Sequence, residues 1–277
     1  MEGLMVTGIA HNAINVLDMD KMLDFYQNGL GLEKAFELHK EDGSPWIVYL
    51  KIAPGAFVEL FYDGIRDRDV NYAPDQIGFN HWCIICTKLQ SLMDRLTAKG
   101  FLKAGVKPDP FDGEGKNLWI DDPEGNGLEL RQLKGDAAYG GREEILGIDH
   151  VAFVVSDIDR ALDFYRDRLG LKELAPIEKD GKPWISCLDT GRAQVWELMR
   201  GGTKKRANTW ESYGGTHVCL ECDNVSATVE VLRSKGWAIM IEPKTGADKN
   251  TQAWVMDQDA NRIELMQIDP DSPQAKA

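Results

Sequence analysis

Histidine and glutamate recur along the chain at one fixed spacing, and these two residue types together are able to bind a divalent metal ion. Only five histidines occur among the 277 residues, and four of them lie in short apolar stretches. A glutamate follows each of the four after 47 or 48 residues, whereas His39 stands outside the pattern. The four pairs are His11 with Glu59, His81 with Glu129, His150 with Glu197, and His217 with Glu264.

Each of these glutamates lies among apolar residues, as Glu59 does in PGAFVELFYDG. An unpaired carboxylate buried in such surroundings costs on the order of several kcal/mol. One such residue is readily explained by an exposed strand face, but four in register with four histidines indicate a cation beside them. We therefore predict that all eight residues bind metal. Imidazole and carboxylate without thiolate suit Zn, Ni, Co, Mn or Fe(II), and the residue types alone do not select one of these metals.

The elements that carry these pairs belong to a unit that the chain repeats four times. GIAHNAINVLDMDKMLDFYQNGLGL begins at Gly8, and GIDHVAFVVSDIDRALDFYRDRLGL begins at Gly147. Both stretches indicate a strand, an aspartate N-cap, an amphipathic helix and a terminating glycine. Weaker copies begin near Ile77 and at Gly214, and every copy closes with further strands. The sequence therefore predicts an α+β protein of four βαβββ modules.

The repeats also predict the domain boundaries. We expect a first domain over residues 1–133 with modules 1 and 2, and a linker over 134–146. A second domain with modules 3 and 4 follows over 147–268, and 269–277 form a loose tail. Modules 1 and 2 or modules 1 and 4 could share a metal site, and the sequence leaves this open. Either pairing gives each site two histidines and two glutamates.

Composition restricts the classes of partner. The net charge of −13 argues against nucleic acid, which usually requires a basic surface. No apolar run approaches 18 residues and no export signal begins at Met1, so we expect a cytoplasmic protein without a membrane partner. A small-molecule substrate is the favoured partner, with the protein as a monomer or homodimer. The CxxC spacings at Cys83/Cys86 and Cys219/Cys222 lie in strand-like runs and predict small buried hydrophobic residues.

The repeated stretches HNAINVLDMDKMLDFYQNGLGL and HVAFVVSDIDRALDFYRDRLGL, with the closing DPEGNGLEL and DQDANRIEL, resemble the vicinal oxygen chelate superfamily. The resemblance covers nearly all of residues 8–268. It implies paired modules that form two cupped mixed sheets around divalent metal. That superfamily contains glyoxalase I, epimerases, extradiol dioxygenases and antibiotic-resistance proteins, so the fold does not determine the function.

The inventory of two histidines and two glutamates is most similar to that of glyoxalase I. This resemblance implies a lyase or isomerase that chelates the vicinal oxygens of a dicarbonyl or hydroxy-ketone and moves a proton through an enediolate. The closing glutamates, Glu129 and Glu264, are then the candidate bases, with Glu59 and Glu197 as alternatives. No residues match those that hold glutathione in that enzyme, so a small, sugar-derived carbonyl compound is also considered.

Four further residues are predicted to contact substrate. Trp46 and Trp184 each lie 13 residues before a module's glutamate, where they would stack on a planar or sugar ring. Arg131 shares a strand face with Glu129, and Asn15 shares one with His11.

Two other functions remain open at this point. An Fe(II) extradiol dioxygenase would use His150, His217 and Glu264 as a facial triad. A non-catalytic small-molecule-binding or resistance protein would need no metal at all.

Overall fold

The computed structural model describes residues 5–66, 73–111, 115–133, 145–206 and 209–277. Four βαβββ modules follow one another along the chain, as the repeats predict. Module 1 comprises β1 (Val6–Asn15), α1 (Met19–Leu23) with a π-helical continuation (Asp24–Gly29), β2 (Glu33–His39), β3 (Pro45–Ala53) and β4 (Ala56–Phe61). Module 2 comprises β5 (Gly78–Cys86), α2 (Leu89–Ala98), β6 (Asp109–Phe111), β7 (Gly115–Asp121) and β8 (Gly127–Gln132).

The second half repeats this order with one additional short strand. Module 3 comprises β9 (Ile145–Val154), α3 (Ile158–Leu162) with a π-helical continuation (Asp163–Arg168), β10 (Lys172–Glu173), β11 (Ile177–Lys179), β12 (Lys182–Gly191) and β13 (Gln194–Met199). Module 4 comprises β14 (Gly214–Cys222), α4 (Val225–Ser234), β15 (Ile239–Thr245), β16 (Thr251–Met256) and β17 (Arg262–Gln267). A short helix, α5 (Pro273–Lys276), follows.

The aspartates that the sequence predicts as N-caps do cap the helices α1 and α3. The side chain of Asp18 accepts a hydrogen bond from the backbone nitrogen of Lys21 at the start of α1. The side chain of Asp157 does the same at the start of α3, where it accepts from Asp159 and Arg160. The terminating glycine of module 1, Gly31, has a φ of 84°, a left-handed conformation that glycine adopts without steric cost.

Each mixed sheet takes one module from each half of the chain. The strand order β15-β16-β17-β14-β1-β4-β3-β2 joins modules 4 and 1, and β10-β12-β13-β9-β5-β8-β7-β6 joins modules 3 and 2. The first strands of the paired modules lie antiparallel at the centre, with His11 opposite Cys219 and Cys83 opposite His150. Of the two pairings that the sequence allows, the structure therefore has module 1 with module 4 and module 2 with module 3.

Consecutive modules nevertheless pack together through their helices. In the first half, the Tyr26 hydroxyl donates to Asp122 at 3.1 Å, and Arg95 donates to the Gly29 carbonyl at 2.7 Å. In the second half, the Tyr165 hydroxyl donates to Asp257 at 3.0 Å. Each half is thus linked by helix packing, whereas each sheet crosses between the halves.

The predicted linker and tail differ from the structure at their described residues. Residues 134–144 of the predicted linker lie outside the described residues, and residues 145–146 belong to β9 rather than to a linker. The predicted loose tail forms the helix α5, with Ser272 capping it and Gln274 buried. The Nε2 of Gln274 donates to Asp248 at 2.8 Å, and this buried hydrogen bond attaches the tail to module 4.

Alternation along the strands separates two buried faces. In β3 and β4, Val48, Leu50, Val58 and Leu60 join the main core, which also contains the helices, while Tyr49 and Phe57 belong to a smaller cluster on the opposite face. Glu59 shares the second face, because residues two apart in a strand point the same way. All five cysteines are buried and free, as predicted for the CxxC spacings. The thiols of Cys219 and Cys83 also lie within 4.8 Å of ligand atoms of His11 and His150, respectively. Among the described residues, no helix is long and apolar enough to cross a membrane.

Candidate metal centres and the adjoining cavity

The sheet of modules 1 and 4 brings together His11, Glu59, His217 and Glu264, which we call the His11 centre. The Nε2 atoms of the two histidines are 3.3 Å apart, and the Nε2 of His11 is 3.0 Å from the Oε2 of Glu264. The Nε2 of His217 lies 3.5 Å from the Oε2 of Glu264 and 4.0 Å from the Oε2 of Glu59. All four side chains are buried.

The sheet of modules 2 and 3 builds a second cluster from His81, Glu129, His150 and Glu197, which we call the His81 centre. Its two Nε2 atoms are 3.1 Å apart. The Nε2 of His150 lies 3.3 Å from the Oε2 of Glu129 and 3.9 Å from the Oε2 of Glu197. These four side chains are also buried.

These spacings fit a divalent cation. With metal–ligand distances of about 2.0–2.1 Å, ligand atoms lie about 2.9–3.4 Å apart when adjacent and about 4.1 Å apart when opposite. The His11 centre also contains orphaned polar atoms. The Nδ1 of His11 and the Oε1 of Glu59 lie 3.1 Å apart, yet neither has a hydrogen-bond partner among the described residues. A buried carboxylate oxygen without a hydrogen-bond donor is suited to binding a cation.

The residue before the histidine orients the imidazole in three of the four modules. The Nδ1 of His81 pairs with Asn80 at 2.8 Å, and the Nδ1 of His150 pairs with Asp149 at 2.8 Å. The Nδ1 of His217 pairs with Thr216 at 3.1 Å. Such contacts determine which nitrogen faces the centre, as outer partners of metal-binding histidines do. A polar residue directly before the histidine was the signal for these contacts in the sequence, and our sequence reasoning did not use it.

The charges of the His11 centre are distributed unequally. Burial raises the pKa of Glu59 to about 8, with His11 opposing the shift and Glu264 adding to it. Burial also works against ionisation of Glu264, but hydrogen bonds from His11 and His217 lower its pKa to about 2. Burial lowers the pKa of His217 to about 4. The pKa values of the two carboxyl groups of this centre are thus shifted in opposite directions.

The guanidinium group of Arg131 forms part of the His81 centre. The Nη2 of Arg131 lies 2.8 Å from the Oε1 of Glu129, and its Nη1 lies 2.7 Å from Asp149, which also pairs with His150. The guanidinium stacks on Phe111 at 4.3 Å. Despite burial, contacts with His150 and Arg131 lower the pKa of Glu129 to about 2. Met266 occupies the corresponding position of the His11 centre, two residues after Glu264.

The His11 centre opens on a cavity of about 280 Å³. Its walls include Glu59, His217 and Glu264, together with the aromatic side chains of Trp46, Tyr49, Phe61, Trp210 and Trp254. The space of about 240 Å³ beside His81 is lined by Asn80, Trp119, Ile120, Asp121 and Gly127, and neither glutamate of that centre contributes to this lining.

The predicted substrate-contacting residues lie in different surroundings. Asn15 and Trp46 line the cavity of the His11 centre. Arg131 instead pairs with two carboxylates, and the ring of Trp184 lies 5.0 Å from the Nζ of Lys179. Tyr49 was missed, although it lies directly opposite Glu59 in the sheet and ten residues before it. Trp119 and Trp254 hold the same position before their glutamates, so the repeat contained the signal.

The structure contradicts the triad of the dioxygenase alternative. His150 belongs to the sheet of modules 2 and 3, whereas His217 and Glu264 belong to the sheet of modules 1 and 4. The physical reason is the sheet pairing, which places the histidines of modules 3 and 4 in different centres. An iron triad would have to come from one centre alone.

Comparison with known proteins finds the same family in both halves of the chain. The family model of the Glyoxalase/Bleomycin resistance protein/Dioxygenase superfamily matches residues 8–130 and 147–265. Lactoylglutathione lyase GLX1 of Arabidopsis thaliana is 29% identical over 176 residues, and the match covers 61% of this chain and 56% of that protein. The chain thus matches only about half the length of that relative.

Two further comparisons extend over nearly the whole chain. Lactoylglutathione lyase of Schizosaccharomyces pombe is 24% identical, and the match covers 93% of this chain and 95% of that protein. The crystal structure of glyoxalase I from Zea mays aligns with a TM-score of 0.69 at 21% identity, covering 94% of this chain and 92% of that one. At this identity the structural likeness establishes the fold alone, and it confirms the tandem α+β architecture.

Proposed function

The chain belongs to the Glyoxalase/Bleomycin resistance protein/Dioxygenase superfamily, and we propose that it is a divalent-metal-dependent lyase or isomerase of glyoxalase I type. In this proposal it moves a proton between adjacent carbons of a small vicinal dicarbonyl or hydroxy-ketone. The relatives named lactoylglutathione lyase support the reaction class. A fold shared by several chemistries does not select one of them, and only the residues of the site do so.

One observation carries the proposal: two histidines and two glutamates converge in a buried cluster that forms one wall of an apolar cavity. His11, His217, Glu59 and Glu264 would hold the metal. A bound divalent ion supplies Lewis-acid polarisation of a substrate oxygen, which acidifies the adjoining C–H group. Zn, Ni, Co, Mn and Fe all suit this set of donors.

The protein's own groups would then transfer the proton. We assign Glu264 as the base, because contacts with two histidines keep its carboxylate ionised. Glu59 is the second carboxyl group that lines the same cavity, and it is the alternative base. The aromatic walls would orient the substrate and exclude water.

We assign catalysis to the His11 centre rather than to the His81 centre. Its cavity is lined by both carboxylates, so a bound molecule would contact them. In the His81 centre, Arg131 binds the Oε1 of Glu129 and the carboxylate of Asp149. Neither Glu129 nor Glu197 lines the space beside His81, so the candidate base Glu129 is assigned to an auxiliary centre.

The experiment combines metal analysis with proton exchange. Purified protein is assayed for bound metal and then incubated without oxygen in D₂O with a panel of hydroxy-ketones and dicarbonyls, while NMR follows exchange of the α-proton. Glu264→Gln and Glu59→Gln should each reduce exchange by roughly 10²- to 10⁴-fold. The matched variant Glu129→Gln in the His81 centre should retain most of the exchange rate of the wild type.

Three results would contradict the assignment. Oxygen uptake with bound iron would favour the dioxygenase, and substrate binding without metal or turnover would favour the binding protein. A larger loss in Glu129→Gln than in Glu264→Gln would move catalysis to the other centre.

A further inference from the structure

We infer that the His11 centre selects a substrate without negative charge that carries a planar or cyclic ring, rather than an anionic thiol adduct. The inference deepens the proposed function, because it names the substrate class of the same site. It rests on the charges, the aromatic walls and the size of the cavity.

The charged side chains that line this largely apolar cavity are all acidic. Among the residues described by the structure, its lining contains three carboxyl groups and neither lysine nor arginine. A divalent ion would balance two of these carboxyl groups, and Asp248 is the third. A negatively charged group entering this space would therefore meet a carboxyl group with no lysine or arginine beside it in the lining, and the juxtaposition of like charges disfavours binding. The net charge of −13 adds repulsion at longer range.

Asp248 is held in place by three hydrogen bonds that it accepts. Its Oδ1 accepts from the backbone nitrogen of Asn250 at 3.2 Å, and its Oδ2 accepts from the side chains of Asn250 at 2.7 Å and Gln274 at 2.8 Å. The side chain is buried, with 3% exposure. None of the salt bridges among the described residues involves Asp248, and its side chain lines the cavity.

The guanidinium of Arg262 is committed to other partners. Arg262 lies opposite His217 in the sheet and two residues before Glu264. Its guanidinium stacks on the ring of Trp210 at 4.3 Å and donates to the Thr209 carbonyl at 3.1 Å, and it is not part of the cavity lining. It therefore supports the aromatic wall instead of offering an anion-binding group.

The aromatic walls fit a ring. Trp210 and Trp254 meet edge-to-face with ring centroids 5.0 Å apart, and Trp254 lies 4.6 Å from the ring of His217. Trp210 is 45% exposed and so stands at the mouth of the cavity. Trp46 and Phe61 form the opposite pair. Flat apolar walls around a few polar groups are typical of sites that bind planar or cyclic ligands.

The volume limits the size of the ligand. The cavity of about 280 Å³ lies just below the usual range for small-molecule sites, roughly 300–1,000 Å³. A glutathione adduct carries two carboxylates and a tripeptide, and both its charge and its bulk are unfavourable here. A ring-bearing hydroxy-ketone satisfies both limits.

The test compares two probes that differ only in charge. Protein loaded with Zn²⁺ is titrated with 2-hydroxyacetophenone and with its para-carboxylate, and binding is followed by tryptophan fluorescence and calorimetry. S-lactoylglutathione is the third probe. We expect the neutral ring compound to bind at least about tenfold more tightly than either anion.

Two variants test the charge argument separately. Asp248→Asn should reduce the preference for the neutral probe several-fold, whereas Glu230→Gln, which removes a charge from the exposed side of α4, should leave it unchanged. Because Asp248→Asn disturbs the hydrogen bonds to the tail, Leu38→Lys provides an independent variant. It places a cation on the cavity wall and should shift the preference towards the carboxylate probe.

The outcomes separate this inference from the proposed function. If either anionic probe binds as tightly as the neutral one, the inference is overturned, even if proton exchange in D₂O proceeds. If the neutral probe binds with the expected preference but its α-protons do not exchange, the substrate class is supported and the proton-transfer function fails.

Discussion

Arg131→Met tests whether the guanidinium supplies the counter-charge of the His81 centre. Arg131 is only 14% exposed and binds Glu129, which is 1% exposed, as well as Asp149. Methionine retains the unbranched stem beside Phe111, and the repeat itself has methionine at the corresponding position 266. The substitution therefore removes the charge with little change in packing.

The expected cost follows from the carboxylate left behind. Removing one partner of a buried ion pair costs about 3–5 kcal/mol. His150 still lies 3.3 Å from the Oε2 of Glu129, so we expect the lower end, about 3 kcal/mol, in the metal-free protein. For a chain of this size that corresponds to a midpoint lower by roughly 6–12 °C. A divalent cation would replace the lost charge, so added Zn²⁺ should recover more stability in the variant than in the wild type.

The assay is thermal denaturation followed by circular dichroism, in EDTA and in excess Zn²⁺. Arg233→Met on the exposed side of α4 is the control and should leave the midpoint nearly unchanged. A midpoint for Arg131→Met within about 2 °C of the wild type in EDTA would refute the reasoning. So would an equal loss with and without Zn²⁺, because the metal would then not act as the replacement cation.

Three further predictions concern the metal, the tail and the helix packing. Removal of the metal with a chelator should lower the unfolding midpoint measured by calorimetry. The free energy of unfolding should fall by about 2.7 kcal/mol if the free metal concentration had been near 100 times its Kd, and adding metal back should reverse the loss. Gln274→Ala should cost about 1–3 kcal/mol in urea denaturation, since it leaves Asp248 one donor short; an unchanged midpoint would mean that the tail is not anchored there. Tyr165→Phe should cost about 1.5–3 kcal/mol through the lost hydrogen bond to Asp257, and the matched Tyr26→Phe should cost a similar amount in the same assay. A loss in only one of the two would show that the halves are not equivalent.

Several features of the fold followed from local signals in the sequence. The aspartate caps at Asp18 and Asp157 and the glycine at Gly31 marked the helices because their chemistry acts within one turn. The π-helical continuations of α1 and α3 were not predicted, since the spacing of apolar residues does not distinguish them from an α-helix. The helix α5 was not predicted in place of the loose tail, because it is held by a hydrogen bond between Gln274 and Asp248, which are 26 residues apart.

The sequence by itself determined the eight residues that group into two clusters, because duplication preserves register and a buried carboxylate demands a positive partner. It could not determine the composition of each cluster, since any two modules supply the same residue types. Only the tertiary structure decided that His11 joins His217 while His81 joins His150. Only the structure, too, distinguished the centre with an open aromatic cavity from the one with a guanidinium at its glutamate. Strand pairing across the two halves and the direction of individual side chains depend on contacts far apart in the chain, and local spacing carries no record of them.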